Sequence, residues 1–175
     1  MLRITIPADE RWDEAKQEFI YTKEQTLQLE HSLVSISKWE SKWCKAFLSE
    51  RTKTSEEVID YVRCMTLTQN VDPAVYSRLT DENFAAINEY IDAPMTATYI
   101  YSDVNSKFNR ERVTSELIYY FMIACNIPFE CQKWHLNRLL TLIRVCSIKN
   151  QPPKSRSKKD IMRRNSAVNA ARRRN

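Results

Sequence analysis

The chain of 175 residues contains no glycine, and this absence limits its backbone conformations more than any other feature. Glycine adopts a positive φ without steric cost, so glycine-type hairpin turns and helix C-caps should be rare here or use Asn and Asp instead. Glycine-rich phosphate-binding loops, dinucleotide fingerprints and the GxSxG nucleophile motif all require glycine. The sequence therefore excludes several large classes of enzyme.

The five cysteines are odd in number, widely spaced and without a CxxC pair. The first residues alternate in polarity, and no apolar signal-peptide region follows them. The longest apolar run, Leu117 to Cys125, has nine residues, whereas a membrane span needs about twenty. We therefore predict reduced thiols in a cytoplasm and no membrane partner.

Charge is distributed unevenly along the chain. Residues 149–175 hold ten basic residues and one acidic residue, a net charge of +9. Residues 1–148 hold 17 basic and 21 acidic residues, a net charge of −4. The protein is therefore a mildly acidic body that carries a basic tail.

The proline pair Pro152-Pro153 marks the predicted domain boundary. We assign residues 1–150 to an α-rich folded domain with an N-terminal β element, and residues 151–175 to the tail. The bulky apolar residues beyond 157 are Ile161, Met162 and Val168. Ordering costs about 1–2 kcal/mol per residue, which so little apolar surface cannot offset. The tail should be disordered alone and helical only on a partner.

Alternating apolar and polar residues predict β structure at the N-terminus. The alternation is clear before Pro7 and recurs more weakly at 19–21 and 27–29. We expect two or three short strands before residue 36, after which the period changes to that of helices. The predicted fold class is mainly α: a compact helical domain with this small β element and a disordered basic C-terminal tail.

Capping signals predict where the first helices begin. The predicted signals are a capping box at Ser37-x-x-Glu40, a second at Thr54-x-x-Glu57, Asp72-Pro73 before a short helix over 74–79, and Thr80 or Asp81 before a helix that ends ahead of Pro94. After it, Thr96 to Tyr101 is predicted to be extended, and Ser102 to Asn109 to be a loop.

Two C-terminal helices are predicted to form the heart of the core. Leu117 to Cys125 is apolar on all sides, which is typical of a fully buried helix. After Pro128 a second helix should run from about Glu130 to Ile148. Its polar stripe is predicted to consist of Lys133, Asn137, Thr141 and Arg144, of which Lys133, Asn137 and Arg144 should be exposed. The rest of its circumference is apolar, and the leucines, Leu140 among them, are predicted to lie in the core.

Cys131 and His135 would share a face if both lay on this helix. They could supply half of a metal site or a thiol–imidazole pair. Zinc needs three or four ligands, and the only other histidine is His31. We therefore predict no metal, no cofactor and no covalent chemistry here, and expect a small hydrophobe beside a partly buried imidazole.

Acidic and aromatic residues are given structural roles, with one exception. The carboxylates of Glu56, Glu57 and Asp60, and those clustered over residues 9–14, are predicted to be solvated and non-catalytic. Trp39 and Trp43 follow helical spacing and are expected in the core. Trp12 is the exception, an expected exposed anchor for a partner.

The basic tail allows two interpretations. Its arginines could neutralise phosphates of nucleic acid. However, the tail has no aromatic residue to stack a base, and the acidic body adds no basic face. A solvated or protein-binding tail is favoured, with a nucleic-acid-binding regulatory protein as the alternative.

The block IPFECQKWHLNRLLTLIRVC, residues 127–146, is followed by a proline break and a basic run containing KKDIMRRNSAVNAARR. This text resembles the C-terminal part of tail assembly chaperones from long-tailed bacteriophages. The likeness is best over Thr114 to Arg173, about a third of the chain. The shared motif contains Trp134, His135, Asn137, Arg138, Leu139, Leu140 and Arg144.

The resemblance implies a non-catalytic bacteriophage protein that coats the tape measure protein and helps recruit tail tube subunits. Such a chaperone acts in the host bacterial cytoplasm during assembly and is absent from the mature virion. Separately, the acidic body and the basic tail of neighbouring copies could engage one another, which would give self-association. The residues predicted to bind a partner are Trp12, Lys133, Trp134, Asn137, Arg138, Arg144, Arg163, Arg164, Arg172, Arg173 and Arg174.

Overall fold

The computed structural model describes residues 1–14, 17–49, 52–100 and 112–150, together with Met162 and Ser166. The described chain is mainly helical and has a small antiparallel β element at its N-terminus, as predicted. The strands are β1 (Leu2–Ile6), β2 (Asp9–Asp13), β3 (Glu18–Thr22) and β4 (Gln25–Leu29). The α-helices are α1 (Leu33–Trp43), α2 (Ser55–Met65), α3 (Asp81–Asp92), α4 (Ser115–Ala124) and α5 (Leu136–Lys149), and two 3₁₀ helices span Pro73–Arg78 and Phe129–Lys133.

The chain divides into two compact units, Met1–Arg144 and Val145–Asn175, so the last turn of α5 belongs to the second unit. The predicted loop at 102–109 lies outside the described residues, as does the tail at 151–175 apart from Met162 and Ser166. Both of those are helical and exposed. Residues 96–100 form neither a helix nor a paired strand, so the extended backbone expected for this segment stays a prediction.

The four strands follow the register of one long hairpin. β1 pairs with β4 and β2 pairs with β3, both antiparallel. In both ladders the residue numbers of each pair sum to 31, so the second ladder continues the register of the first. The ladders are separated at Pro7, which has no backbone N–H to donate. The prediction of two or three strands was wrong, because the charge-rich β2 (DERWD) lacks the apolar alternation that identifies a strand.

The inner ladder, β1 with β4, is built into the core. Ile4, Ile6, Leu27 and Leu29 are all buried. Beyond β4, the chain after α2 runs alongside: the Leu67 N–H donates to the Gln28 carbonyl at 2.8 Å. Other elements therefore cover this half of the hairpin.

The far edge of β1 meets α3 and the residues before it. The Asn83 amide donates to the Thr5 carbonyl at 3.4 Å, and the Arg78 guanidinium donates to the Pro7 carbonyl at 3.0 Å. Both edges of the inner ladder thus have partners.

Three of the four predicted helix starts are confirmed. Thr54 forms a capping box with Glu57, and Thr80 caps α3. Asp72 caps the segment that opens with Pro73, although this is a 3₁₀ helix. The fourth start was wrong: α1 begins at Leu33, because Ser32 and Ser35 form a reciprocal capping box five residues ahead of Ser37.

Trp39 is fully buried between α1 and α2, which confirms its predicted core role. Its indole N–H donates to the Glu57 carbonyl at 2.9 Å. Trp43 is only half-buried, with its indole N–H bonded to the Asp60 carboxylate at 2.9 Å. Phe47 packs against Tyr61 with ring centroids 4.0 Å apart and ring planes tilted by 33°.

The second predicted C-terminal helix begins six residues later than expected. Phe129–Lys133 is a separate 3₁₀ helix, and α5 starts at Leu136. Between the two helices the Leu136 N–H donates to the His31 carbonyl at 2.8 Å, and His135 forms an isolated antiparallel bridge with Ser32, the residue before α1. On α5, Leu139 is fully buried, whereas Leu140 is only half-buried.

Five described residues other than glycine adopt a positive φ. Asn70 and Asn126 fit the expectation that Asn would replace glycine, but Gln17, Cys44 and Met95 do not. Cys44 ends α1 in the left-handed conformation at φ 51°. The chain therefore places ordinary side chains at positions where this conformation costs roughly 1–2 kcal/mol.

Candidate protein-binding surfaces and the buried histidine pair

Helix α4 presents an apolar face to solvent. Tyr120, Phe121 and Ile123 are 61%, 39% and 61% exposed, and we call these three residues the α4 face. Ile118 and Met122, on the other side of the helix, are buried. The prediction of a fully buried helix was wrong, because the described elements pack against only one side of it.

Helix α4 is held in place through its N-terminus. The carboxylate of Glu40, buried on α1, accepts the Ser115 N–H and the Phe47 N–H, each at 2.7 Å. Thr114 caps the helix by accepting the Leu117 N–H. These bonds fix the helix independently of its apolar outer side, which is free to contact another molecule.

The apolar surface continues beyond α4. Phe129 is exposed and lies 6.4 Å from the ring of Tyr119. The Tyr119 hydroxyl donates to the Gln132 side chain at 2.9 Å, which joins α4 to the following 3₁₀ helix. Large exposed apolar areas of this kind are typical of protein-binding sites.

The outer part of the hairpin, residues 9–22, carries a row of aromatic rings. We call the whole segment, residues 9–22, the arm. Trp12 lies opposite Phe19 with ring centroids 4.8 Å apart, and Phe19 lies 6.3 Å from Tyr21. The three side chains are 47%, 53% and 71% exposed. Trp12 is exposed as predicted, but its aromatic neighbours were not anticipated.

The residues of the family motif are spread over different environments. Lys133 and Arg144 are exposed. The Arg138 guanidinium lies 4.2 Å from the ring of Trp134, which is half-buried. This cation–π contact orients both side chains at the surface of α5. The tail arginines predicted to bind a partner, Arg163, Arg164, Arg172, Arg173 and Arg174, lie outside the described residues.

Asn137 does not belong to an exposed stripe, which corrects the prediction. It is half-buried, and its amide donates to the carbonyls of Ile91 and Ala93, both at 2.9 Å. It therefore ties α5 to the end of α3. Beside it lies an open groove of about 430 Å³, whose α5 side consists of Asn137, Leu140, Thr141 and Arg144.

Cys131 and His135 do not share a helix face, because Cys131 lies on the 3₁₀ helix and His135 precedes α5. Both are buried. The structure instead joins the two histidines of the chain: the rings of His31 and His135 lie 5.2 Å apart, edge to face. Within the described residues no three His, Cys, Asp or Glu side chains converge as a metal site would require.

Each ring of the histidine pair has a defined hydrogen-bond partner. His135 Nε2 lies 2.9 Å from the Tyr90 carbonyl, which can only accept, so Nε2 carries the proton. Nδ1 of the same ring accepts the Asn137 N–H at 3.3 Å. His31 Nδ1 lies 2.5 Å from the Tyr61 hydroxyl. Neutral rings satisfy this arrangement.

The surroundings of the pair oppose protonation. Burial, followed by repulsion from His135, lowers the pKa of His31 from 6.5 to about 4. Burial also lowers the pKa of His135, although its bond to the Tyr90 carbonyl and the nearby Glu30 act in the opposite direction. The Glu30 carboxylate accepts the Tyr90 hydroxyl at 2.7 Å and contacts the N-terminal ammonium at 3.0 Å. The pair is therefore an acid-sensitive part of the core.

The acidic cluster on α2 is structural, but two of its members are not solvated as predicted. Glu57 and Asp60 are buried and pair with Lys45 and Lys42, each at 2.5 Å. The bond from Lys45 lowers the pKa of Glu57. Burial raises the pKa of Asp60, but the bonds from Lys42 and Trp43 outweigh it and lower the pKa overall.

Comparison with known proteins identifies no relative: no family model, curated protein or solved structure matches the chain. Among the described helices, none combines the length and the apolar character needed to cross a membrane.

The sequence predicts the α4 face and the arm only in part. An apolar helix of ten residues is compatible with burial on one side or on all sides. For the arm, the charged residues of β2 indicate an exposed ladder, on which Phe19 and Tyr21 would also be exposed. The pairing of His31 with His135 has no local signal, since 103 residues separate them.

Proposed function

We propose that this protein is a non-catalytic tail assembly chaperone of a long-tailed bacteriophage, and that it binds the tape measure protein through the α4 face. The observation that carries the proposal is the exposure of Tyr120, Phe121 and Ile123 on a helix that is otherwise firmly anchored. The resemblance over residues 114–173 supplies the class of partner.

An apolar helix face suits a helical partner. Amphipathic helices place apolar residues every three or four positions and bind to apolar surfaces through them. The resemblance implies a long, mostly helical tape measure protein, which would offer many such segments. Several chaperone copies along one chain would bind with avidity even if each contact were weak.

The other predicted contacts fit around this surface. Lys133 and Arg138 are exposed, and in this proposal they form a polar rim of the contact. The basic tail would strengthen binding and become ordered on the partner. In this proposal the protein recruits tail tube subunits in the host bacterial cytoplasm and is absent from the mature virion.

The alternative is a regulatory protein that binds nucleic acid through its tail, favoured by the net charge of +9 over residues 149–175. Non-specific phosphate contacts weaken steeply with salt. If the chaperone proposal is correct, a mobility shift on DNA or RNA should be weak and vanish by about 0.2 M salt.

The test is co-expression with the tape measure protein of the phage that encodes the chain. The full chain should keep the tape measure soluble, and the double variant Tyr120→Ser/Ile123→Ser should reduce the soluble fraction severalfold. Both residues are exposed, so the fold should persist, as circular dichroism would verify. Leu67→Ser, which changes an exposed apolar residue outside α4, is the matched control and should have no effect.

Equal tape measure solubility with and without the chain would contradict the proposal. Tight, sequence-dependent nucleic-acid binding in the same preparation would then favour the alternative. Loss of solubility with Leu67→Ser as well would show that general stability, and not the α4 face, determines the result.

A further inference from the structure

The arm lacks the structural support that the inner ladder has. Among the described residues β2 pairs only with β3, and β3 only with β2, so both outer edges of this ladder are open. A two-stranded hairpin is marginally stable alone in water. An open ladder that exposes three aromatic rings is suited to binding another molecule.

The chemistry of the arm specifies the kind of partner. Residues 9–22 contain five acidic and two basic residues, a net charge of −3. A hydrogen bond joins Glu10 to the Tyr21 hydroxyl, which it faces across the ladder, and raises the pKa of Tyr21. Aromatic faces attract guanidinium and ammonium groups, and carboxylates beside them add charge-assisted hydrogen bonds. Phosphate groups would be repelled.

The sequence itself contains a complementary segment. Residues 149–175 carry a net charge of +9 and include five arginines beyond Ile161. Arginine suits stacked and bidentate contacts better than lysine does. Each chain offers one acidic aromatic arm and one basic tail, so two copies could exchange these segments and close a symmetric dimer.

We propose that the arm binds the basic C-terminal segment, residues 149–175, of a second copy of this chain. The contact combines cation–π stacking on Trp12, Phe19 and Tyr21 with attraction between the acidic arm and the arginines. It is separate from the α4 face and does not depend on the identity of the proposed tape measure partner.

The contact should give association that depends on concentration and salt. Analytical ultracentrifugation of the full chain should show a dimer at low salt that dissociates at least tenfold more readily at 0.5 M salt, where charges are screened within about 4–5 Å. Two full-length variants should each be monomeric: Trp12→Ser/Phe19→Ser/Tyr21→Ser in the arm, and the five tail arginines 163, 164, 172, 173 and 174 changed to serine.

Mixing the two variants distinguishes the possible contacts. The arm variant still has a basic tail and the tail variant still has an arm, so the mixture should regain dimers through one arm–tail contact. Failure of the mixture to associate would overturn the proposal, since each variant retains one half of the contact. A tail variant that still dimerised alone would indicate arm–arm contacts, and an arm variant that still dimerised alone would indicate tail–tail contacts; either result would overturn the proposal. A monomeric full chain at all concentrations would overturn it as well.

Leu67→Ser and Tyr120→Ser are the controls, and both should dimerise like the unmodified chain. If Tyr120→Ser alone abolished the dimer, the α4 face would be the self-association site and the arm would not. Because tape measure solubility is not measured here, failure of this proposal and failure of the chaperone function are distinguishable.

Discussion

The inner and outer halves of the hairpin have the same register but opposite surroundings. In the inner half Leu27 and Leu29 are fully buried, and both edges have partners from α3 and the chain after α2. In the outer half Trp12, Phe19 and Tyr21 are exposed and neither edge is paired within the described residues. Burial is therefore decided by the elements that pack around a strand, and not by its pairing.

Similar apolar side chains therefore make different contributions in the two halves of the hairpin. In the inner half they contribute to folding stability by leaving water, at about 25 cal/mol per Å² of apolar surface. In the arm they remain in water at a cost to solubility, as the contact proposed above would require. Helix α4 repeats the contrast within one element, because Met122 is buried and Tyr120 is exposed.

The largest expected effect is the difference in unfolding free energy between a truncated side chain in the inner half and one in the outer half. Leu29→Ala should lower the free energy of unfolding by about 2–5 kcal/mol, since it leaves a cavity in the core. Phe19→Ala, in the arm, should cost less than about 1 kcal/mol, because half of the ring is already in water. Urea unfolding of both variants measures the two values. Similar losses for both would show that the arm is as integral to the core as the inner ladder.

The local parts of this architecture could be predicted from sequence. Thr54 and Thr80 identify helix starts because a cap is complete within three residues. Ser32 and Ser35 could have been found in the same way, as a capping box with serine in place of glutamate. The carboxylates over residues 9–14 predicted only solvent exposure and no strand, although an exposed strand also tolerates charge.

The remaining features depend on contacts distant in sequence. Asn137 was assigned to an exposed stripe because nothing nearby shows that its amide would reach the carbonyls at the end of α3. The exposure of Tyr120 depends on which elements fail to cover α4, and a helix pattern alone does not contain that information. For the same reason Leu140, predicted to be buried, is only half-buried.

Acid should destabilise the inner half of the hairpin through the histidine pair. The pKa of His31 is 6.5 in the unfolded chain and about 4 in the folded one. Between these values the unfolded chain binds more protons, so stability is highest above pH 6.5 and falls as pH drops towards 4. The loss from His31 over that range is about 3 kcal/mol, and His135 acts in the same direction.

Unfolding free energies between pH 7 and 5 measure this effect before the carboxylates protonate. His31→Gln should flatten the slope, whatever its effect on stability at pH 7. Trp12→Ala should keep the original slope, because the arm contains no histidine. A stability that is constant over this range in the unmodified chain would rule out a neutral buried pair.

The smallest expected effect concerns two residues with the same backbone conformation in different surroundings. Gln17, at the tip of the arm, and Cys44, at the end of α1, both have φ 51° and exposed side chains. Glycine relieves the steric cost of this conformation but loses more entropy on folding. Cys44→Gly should therefore raise the free energy of unfolding by up to about 1 kcal/mol. Ser41→Gly, an exposed position inside α1, should lower it by about 0.5 kcal/mol and is the matched control.

Gln17→Gly should leave global stability nearly unchanged, if the arm opens locally before the rest of the protein unfolds. Hydrogen exchange of the β2 and β3 amides should then be fast and should slow in the variant, while the amides of β1 and β4 keep their protection. If Gln17→Gly instead stabilised the whole protein as much as Cys44→Gly, the hairpin would unfold as a single cooperative unit. The arm would then be a rigid extension of the core, and binding of a basic segment to it would require no ordering of the arm.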